Sequence, residues 1–135
     1  MTISRAAKRR ILRHCSENPD IEACGLLFGS ESRISRASPT ENVADDPARR
    51  FEIDPADLFA AIRAERDGGD RLVGYYHSHP AGPAEPSARD AAMALDTGRL
   101  WLIVAGGEMG LWRAAAAGRL EPVELALASP ASSRH

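Results

Sequence analysis

Leu100 to Ala105 reads LWLIVA, six residues without a polar member. A strand with one wet face alternates apolar and polar residues, because successive side chains leave opposite faces. This run does not alternate, so both of its faces need cover. Gly98 before it and Gly106-Gly107 after it hold it to strand length. A strand covered on both faces sits inside a sheet with a layer on each side.

The rest of the chain supplies those layers. Residues 3–18 read as a helix, with Ile3, Ala7, Ile11 and Cys15 repeating every four residues and Ala6 and Leu12 widening the stripe. Ser4 caps its start and Asn18-Pro19-Asp20 ends it. ACGLLFG, closed by Gly29, reads as a buried strand. Residues 31–50 read as one strand and a loop, with weak alternation around Ile34 and Val43. In DPADLFAAIRAERDGG, Asp54 caps, Pro55 takes the first helical position and Asp57 sits in the first turn. Leu58, Phe59 and Ile62 form its expected buried stripe, and Gly68-Gly69 stop it. RLVGYYH is a strand, SARDAAMALDTG a third helix ended by Gly98, and LWRAAA and LEPVELAL close the chain as a meander. The order predicts an α/β fold, a three-layer domain with a mixed β-sheet flanked by helices, over residues 1–128. Residues 129–135 read as a disordered tail.

Charge narrows the function classes. The net charge is −2 and the pI about 6.1, which leaves no footprint for nucleic acid or an anionic membrane. The small basic cluster from Arg5 to Arg10 reads as a solvated helix face. Cys15 and Cys24 make no CxxC and read as reduced thiols. No secretory leader or 20-residue apolar span is evident, so a cytoplasmic, soluble protein is expected.

The chemistry concentrates in GYYHSHPAGPAEPSARD, residues 74–90. His77 and His79 are i and i+2 on a strand, so both imidazoles leave one face. Pro80 cannot donate to a ladder, so the strand ends beside them. After a Pro-rich loop, Asp90 falls in the first turn of a helix and can face back toward the pair. Two imidazoles and a carboxylate suit a catalytic zinc, which takes three protein ligands and keeps a fourth position for water. Each piece also has a plainer reading. HxH is often a polar strand end, and Ser87-x-x-Asp90 is a capping box. A metal of this kind needs a base, and Glu22, directly before ACGLLFG, is the candidate, although a charge there could be the solvated end of a strand. Cys24 lies inside that apolar run, where a buried thiol is commoner than a nucleophile.

IEACGLLFGS followed by HSHPAGPAEPSARD resembles the JAMM metallopeptidase family, also called MPN+ or Mov34/PAD-1. Its signature is a glutamate before a Cys/Gly-rich apolar strand, then H-[ST]-H-P, an aspartate after ten further residues, and a serine three positions before that aspartate. The matching positions are Glu22, His77, His79, Ser87 and Asp90, and NVADDPARRFEIDP resembles the family's link into its second helix. The resemblance implies a fold similar to the cytidine deaminases, and one zinc per chain on His77, His79 and Asp90 with water as fourth ligand. Glu22 would act as general base and Ser87 would bind the oxyanion. The deaminase signature H-x-E…P-C-x-x-C is absent, which disfavours base deamination. The implied activity is a zinc-dependent peptidase or isopeptidase. It would cut after the C-terminal Gly-Gly of a ubiquitin-like protein, and small prokaryotic members suggest a sulfur carrier. A non-catalytic scaffold on the same fold is the alternative. A nucleic-acid-associated domain is a third reading, which the acidic pI opposes.

Overall fold

A computed structural model describes residues 1–129. It contains eight strands, β1 (Thr2–Ile3), β2 (Cys24–Gly29), β3 (Arg33–Thr40), β4 (Leu72–Ser78), β5 (Leu100–Ala105), β6 (Glu108–Ala116), β7 (Arg119–Pro122) and β8 (Ala126–Leu127). Three helices accompany them, α1 (Arg5–Glu17), α2 (Pro55–Arg66) and α3 (Ala88–Met93). The strands form one mixed sheet in the order β7-β6-β5-β4-β2-β3-β1-β8. Of the tail expected at residues 129–135, all but Ser129 lies outside the described residues.

The two edge strands of this sheet, β7 and β8, are adjacent in sequence. Only residues 123–125 separate them, and that link spans at most about 14 Å. Eight flat strands would hold the edges roughly 33 Å apart. The sheet therefore curls until its edges approach, and α1 fills the hollow. Ala7, Ile11 and Cys15 pack there against Leu27, Tyr76, Leu102, Val104 and Leu111. On the other face lie Cys24, Phe51 and Trp101, and beside them Leu26, Phe28, Leu72 and Ala61 of α2. LWLIVA is buried on both faces, with β4 parallel on one side and β6 antiparallel on the other.

Gly25 and Gly74 permit this packing. A Cβ on Gly25 would fall 2.3 Å from the Tyr76 ring, so the missing side chain is where that ring lies. A Cβ on Gly74 would fall 2.2 Å from the Leu100 carbonyl oxygen, across the β4–β5 pair. Gly106 and Gly107 both have positive φ, 58° and 84°, as a two-residue hairpin turn requires.

Several elements differ from the sequence reading. Ile3 belongs to a strand paired with Ile34, and α1 starts at Arg5. Ser4 caps it with extended backbone, which frees Ile3 to join the sheet. Ile3 still reaches the same core, whereas Ala6 is exposed. The expected stripe of α2 is rotated: Phe59 is 67% and Ile62 37% exposed. The inner face is instead Leu58, Ala61 and Glu65, whose carboxylate accepts the Leu72 N–H at 2.9 Å. This i, i+3, i+7 row places small Ala61 against the sheet and sends Phe59 outward. The third helix stops at Met93 because Ala94 leaves helical geometry, and Gly98 already donates to Ala114 O in the sheet. LEPVELAL is not one strand: its halves lie at opposite edges of the sheet.

Candidate metal centre

His77 and His79 stand at the end of β4, the central strand between β2 and β5. His77 is fully buried. Phe51 stacks on its ring at 4.3 Å with an interplanar angle of 18°, and Trp101 meets it edge-on. His79 N–H donates to Val104 O at 2.8 Å, which extends the β4–β5 pairing one step past the strand. Its Nδ1 lies 2.9 Å from Pro83 O. A carbonyl only accepts, so Nδ1 carries a proton; Nε2 then donates to Asp90 in the imidazolium and offers its lone pair to a metal in the neutral ring.

Asp90 comes from α3 and is buried. Ser87 Oγ accepts from Asp90 N at 3.0 Å, and Asp90 Oδ2 accepts from Ser87 N at 2.9 Å. The capping box is therefore formed. The same Oδ2 lies 3.2 Å from His77 Nε2 and 3.1 Å from His79 Nε2, and the two Nε2 atoms are 3.2 Å apart. Capping and facing the histidines are thus not rivals: the cap fixes the carboxylate that faces them.

These three atoms form a near-equilateral triangle. Zinc bonds of about 2.0–2.1 Å in a tetrahedron put ligand atoms roughly 3.3–3.4 Å apart. Two imidazole nitrogens and a carboxylate oxygen are also the donor types zinc accepts. The residues present therefore fit the group, and among the described residues they are the cluster able to hold a metal. Electrostatics agrees in direction. Burial opposes ionisation of Asp90, yet the bonds from His77 and His79 win and hold it well below the usual carboxylate range. Burial lowers the pKa of His77 against the pull of Asp90. The hydrogen bond to Asp90 raises that of His79.

Glu22 is 7% exposed, and its Oε1 has no hydrogen-bond partner. Its backbone is held from both sides: its N–H donates to Pro47 O at 2.7 Å, and Asn42 Nδ2 donates to its carbonyl at 2.8 Å. Burial, and then the charge of Asp90, push its carboxyl up to about 7, against His79 and Arg89. Glu22, His79 and Ser87 line one groove of about 490 Å³. A larger hollow of about 700 Å³ lies at the other end of β4, near Leu72 and Arg99, remote from the triad. Cys24 is buried, its Sγ 3.6 Å from Thr40 Oγ1, and burial pushes its thiol up to about 11.

Four positioning residues escape the motif reading. Ser78, between the histidines, accepts from Ala23 N at 2.9 Å and ties the start of β2 to the end of β4. Asn42 also donates to Arg50 O and accepts from Ala44 N and Glu52 N, folding the loop that brings Phe51 onto His77. Pro83 supplies the carbonyl that orients His79. The signal for Asn42 and Phe51 was the stretch NVADDPARRFEIDP; for Ser78 and Pro83 only their places in HSHPAGP mark them.

The fold and the triad define an α/β domain of JAB1/MPN type. The family described as prokaryotic homologs of the JAB domain matches residues 4–116, which includes all five candidate residues. The desampylase of Haloferax volcanii is 37% identical over 109 residues, covering 76% of this chain and 78% of that protein. The CysO-cysteine peptidase of Mycobacterium tuberculosis is 33% identical over 90 residues, 65% of this chain and 60% of that protein. The solution structure of protein DSY2949 from Desulfitobacterium hafniense superposes with a TM-score of 0.79 at 28% identity, covering 95% of this chain and 92% of that one. The chain belongs to the prokaryotic JAB-domain family, the small prokaryotic branch of the JAMM/MPN proteins. Among the described residues no helix is long and apolar enough to cross a membrane.

Proposed function

We propose that the chain is a zinc-dependent peptidase that hydrolyses the bond after the C-terminal Gly-Gly of a ubiquitin-like protein, a sulfur carrier among the candidates. The observation that carries this reading is the convergence of His77 Nε2, His79 Nε2 and Asp90 Oδ2 within 3.2 Å of one another, beside a buried glutamate with an unpartnered oxygen. The relatives named desampylase and CysO-cysteine peptidase support a small-protein conjugate as substrate.

In this reading His77, His79 and Asp90 hold the zinc. The ion supplies Lewis-acid polarisation and a nucleophilic water at neutral pH. Glu22 takes a proton from the attacking water and delivers it to the leaving amine. Burial favours the protonated form of this carboxyl, which helps it hold the proton between the two halves of that transfer. Ser87 Oγ already accepts from Asp90 N, so its own O–H proton is free to donate to the oxyanion at the scissile carbon. Glycines beside the scissile bond let the peptide backbone approach closely.

The test uses purified, zinc-loaded protein and a carrier extended beyond its Gly-Gly, followed by intact mass. Clean cleavage after the second glycine is expected, lowered ~10²-fold or more by Glu22→Gln with zinc retained. Equal cleavage of unstructured peptides without Gly-Gly, or full turnover in Glu22→Gln, would overturn the reading.

A further inference from the structure

Two arginines border the groove that contains Glu22 and His79, and the reaction just described uses neither. Arg49 and Arg89 are exposed and line it together with Ser87. Arg89 directly precedes Asp90 in α3, and its charge acts on the Glu22 carboxylate, so the two groups share one neighbourhood. Among the described residues Arg89 forms no ion pair, and Arg49 reaches only Asp46, at 3.8 Å. Both guanidinium groups are thus available to an anion in the groove.

We infer that Arg89, assisted by Arg49, binds the free α-carboxylate of the leaving amino acid, so the preferred substrate is a carrier whose Gly-Gly is joined to a single amino acid through its α-amine. The inference rests on the reading of Glu22 as proton carrier. Hydrolysis breaks the bond between the glycine carbonyl carbon and the amine nitrogen. The carbon gains the hydroxyl of water, and the nitrogen gains the proton that Glu22 carried. In a released amino acid the carboxyl carbon lies about 2.5 Å from that nitrogen. Where Glu22 meets the amine, the carboxylate would therefore lie in the groove that Arg89 and Arg49 border. Arginine matches a carboxylate with two parallel N–H donors. A longer peptide would offer a neutral amide at that place, and a lysine side-chain linkage would offer methylene groups. Glu85 also lines the groove and repels an anion, which confines the carboxylate to the arginine side.

The experiment compares three conjugates of one carrier with the zinc-loaded chain. One carries a single amino acid as the free acid, one the same amino acid as its carboxamide, and one an ε-linked lysine. The free acid should show kcat/KM at least about tenfold above the carboxamide and the lysine conjugate. In Arg89→Gln the acid-to-carboxamide ratio should fall toward one, and Arg89→Lys should restore part of it, since an ammonium keeps the charge without the fork. A second readout needs no turnover: Glu22→Gln protein titrated with the uncleaved conjugates should bind the free acid more tightly than the carboxamide. Equal cleavage of acid and carboxamide by the native chain would overturn the inference and leave the peptidase reading standing. An Arg89→Gln loss that is equal for both and vanishes at high salt would mean steering of an acidic carrier, and would also overturn it. No cleavage of any conjugate would overturn the peptidase reading, and this inference with it.

Discussion

On the face of the sheet that wraps α1, Ile3, Ile11, Leu27, Ile34 and Leu102 are all at most 1% exposed. On the face under α2 the sheet residues Cys24, Leu26, Phe28, Leu72 and Trp101 are buried as well, but their cover is thinner: Phe59 is mostly exposed, only Ala61 of that helix is buried, and Phe51 and Ala94 add to it. The triad and Glu22 lie at the rim of that second, thinner layer. On the proposed reading the site admits a protein tail, which needs an open edge, whereas the hollow inside a curled sheet gains stability from being closed. Both faces bury apolar residues of the sheet, and the polar cluster gathers at the rim of the second.

The largest expected effect is on the α1 face. Ile11→Ala or Leu27→Ala should cost about 2–5 kcal/mol in denaturant unfolding, the range for truncation of fully buried aliphatic side chains. Phe59→Ser, on the other face, should stay within about 0.5 kcal/mol. A cost at Phe59 as large as that at Ile11 would break the comparison.

Gly25→Ala should follow. Its new Cβ meets the Tyr76 ring and, 2.5 Å away, the Ser38 carbonyl oxygen, which is backbone and cannot turn aside. We expect about 1–3 kcal/mol lost, by the same measurement.

At the rim, Asp90 separates structural from metal roles. Asp90→Ala removes the capping acceptor as well as the carboxylate, and should lower metal-free stability by about 1–2 kcal/mol. Asp90→Asn keeps an oxygen for Ser87 N–H and should cost less. Both should lose most bound zinc in a metal assay, because three ligands leave no redundancy. Full zinc in Asp90→Ala with stability alone reduced would leave the cap as the residue's only role.

The smallest effect uses the thiols as reporters, Cys15 on the α1 face and Cys24 on the other. Burial raises both from 9.0 to about 11. The unfolded chain releases these protons first, so each thiol's contribution is fully present below pH 9 and is lost as pH rises toward 11. The tyrosines Tyr75 and Tyr76, also raised by burial, add the same sign at higher pH. Comparing thermal unfolding of the native chain with Cys15→Ala and Cys24→Ala across that window isolates each thiol, and each variant should flatten the decline. Faster native-state alkylation of Cys24 than of Cys15 at pH 8 would show that the α2 layer opens more readily.

Local signals were legible in the sequence wherever they were strong and short in range. The caps at Ser4 and Asp54, Pro55 at the first helical position, the doubly buried LWLIVA and the Gly106-Gly107 turn each depend on neighbours a few residues away. The i, i+2 phase of His77 and His79 is likewise fixed by strand geometry alone. The rotation of α2 was not legible, because Leu58, Phe59 and Ile62 are apolar whichever face turns inward, and the shape of Leu26, Phe28 and Leu72 beneath selects small Ala61. Nor was the split of LEPVELAL, since a strand's partner lies far off in sequence and only the curl brings β8 beside Met1 and Ile3. For the site, the sequence by itself determined the kinds of donor and their order along the chain. Tertiary structure alone decided their meeting, through the Ser78 bond to Ala23, the Asn42 hub beneath Glu22 and the Phe51 stack on His77. Those contacts join residues separated by 20 to 55 positions, and only packing of the whole sheet determines which distant groups share a neighbourhood.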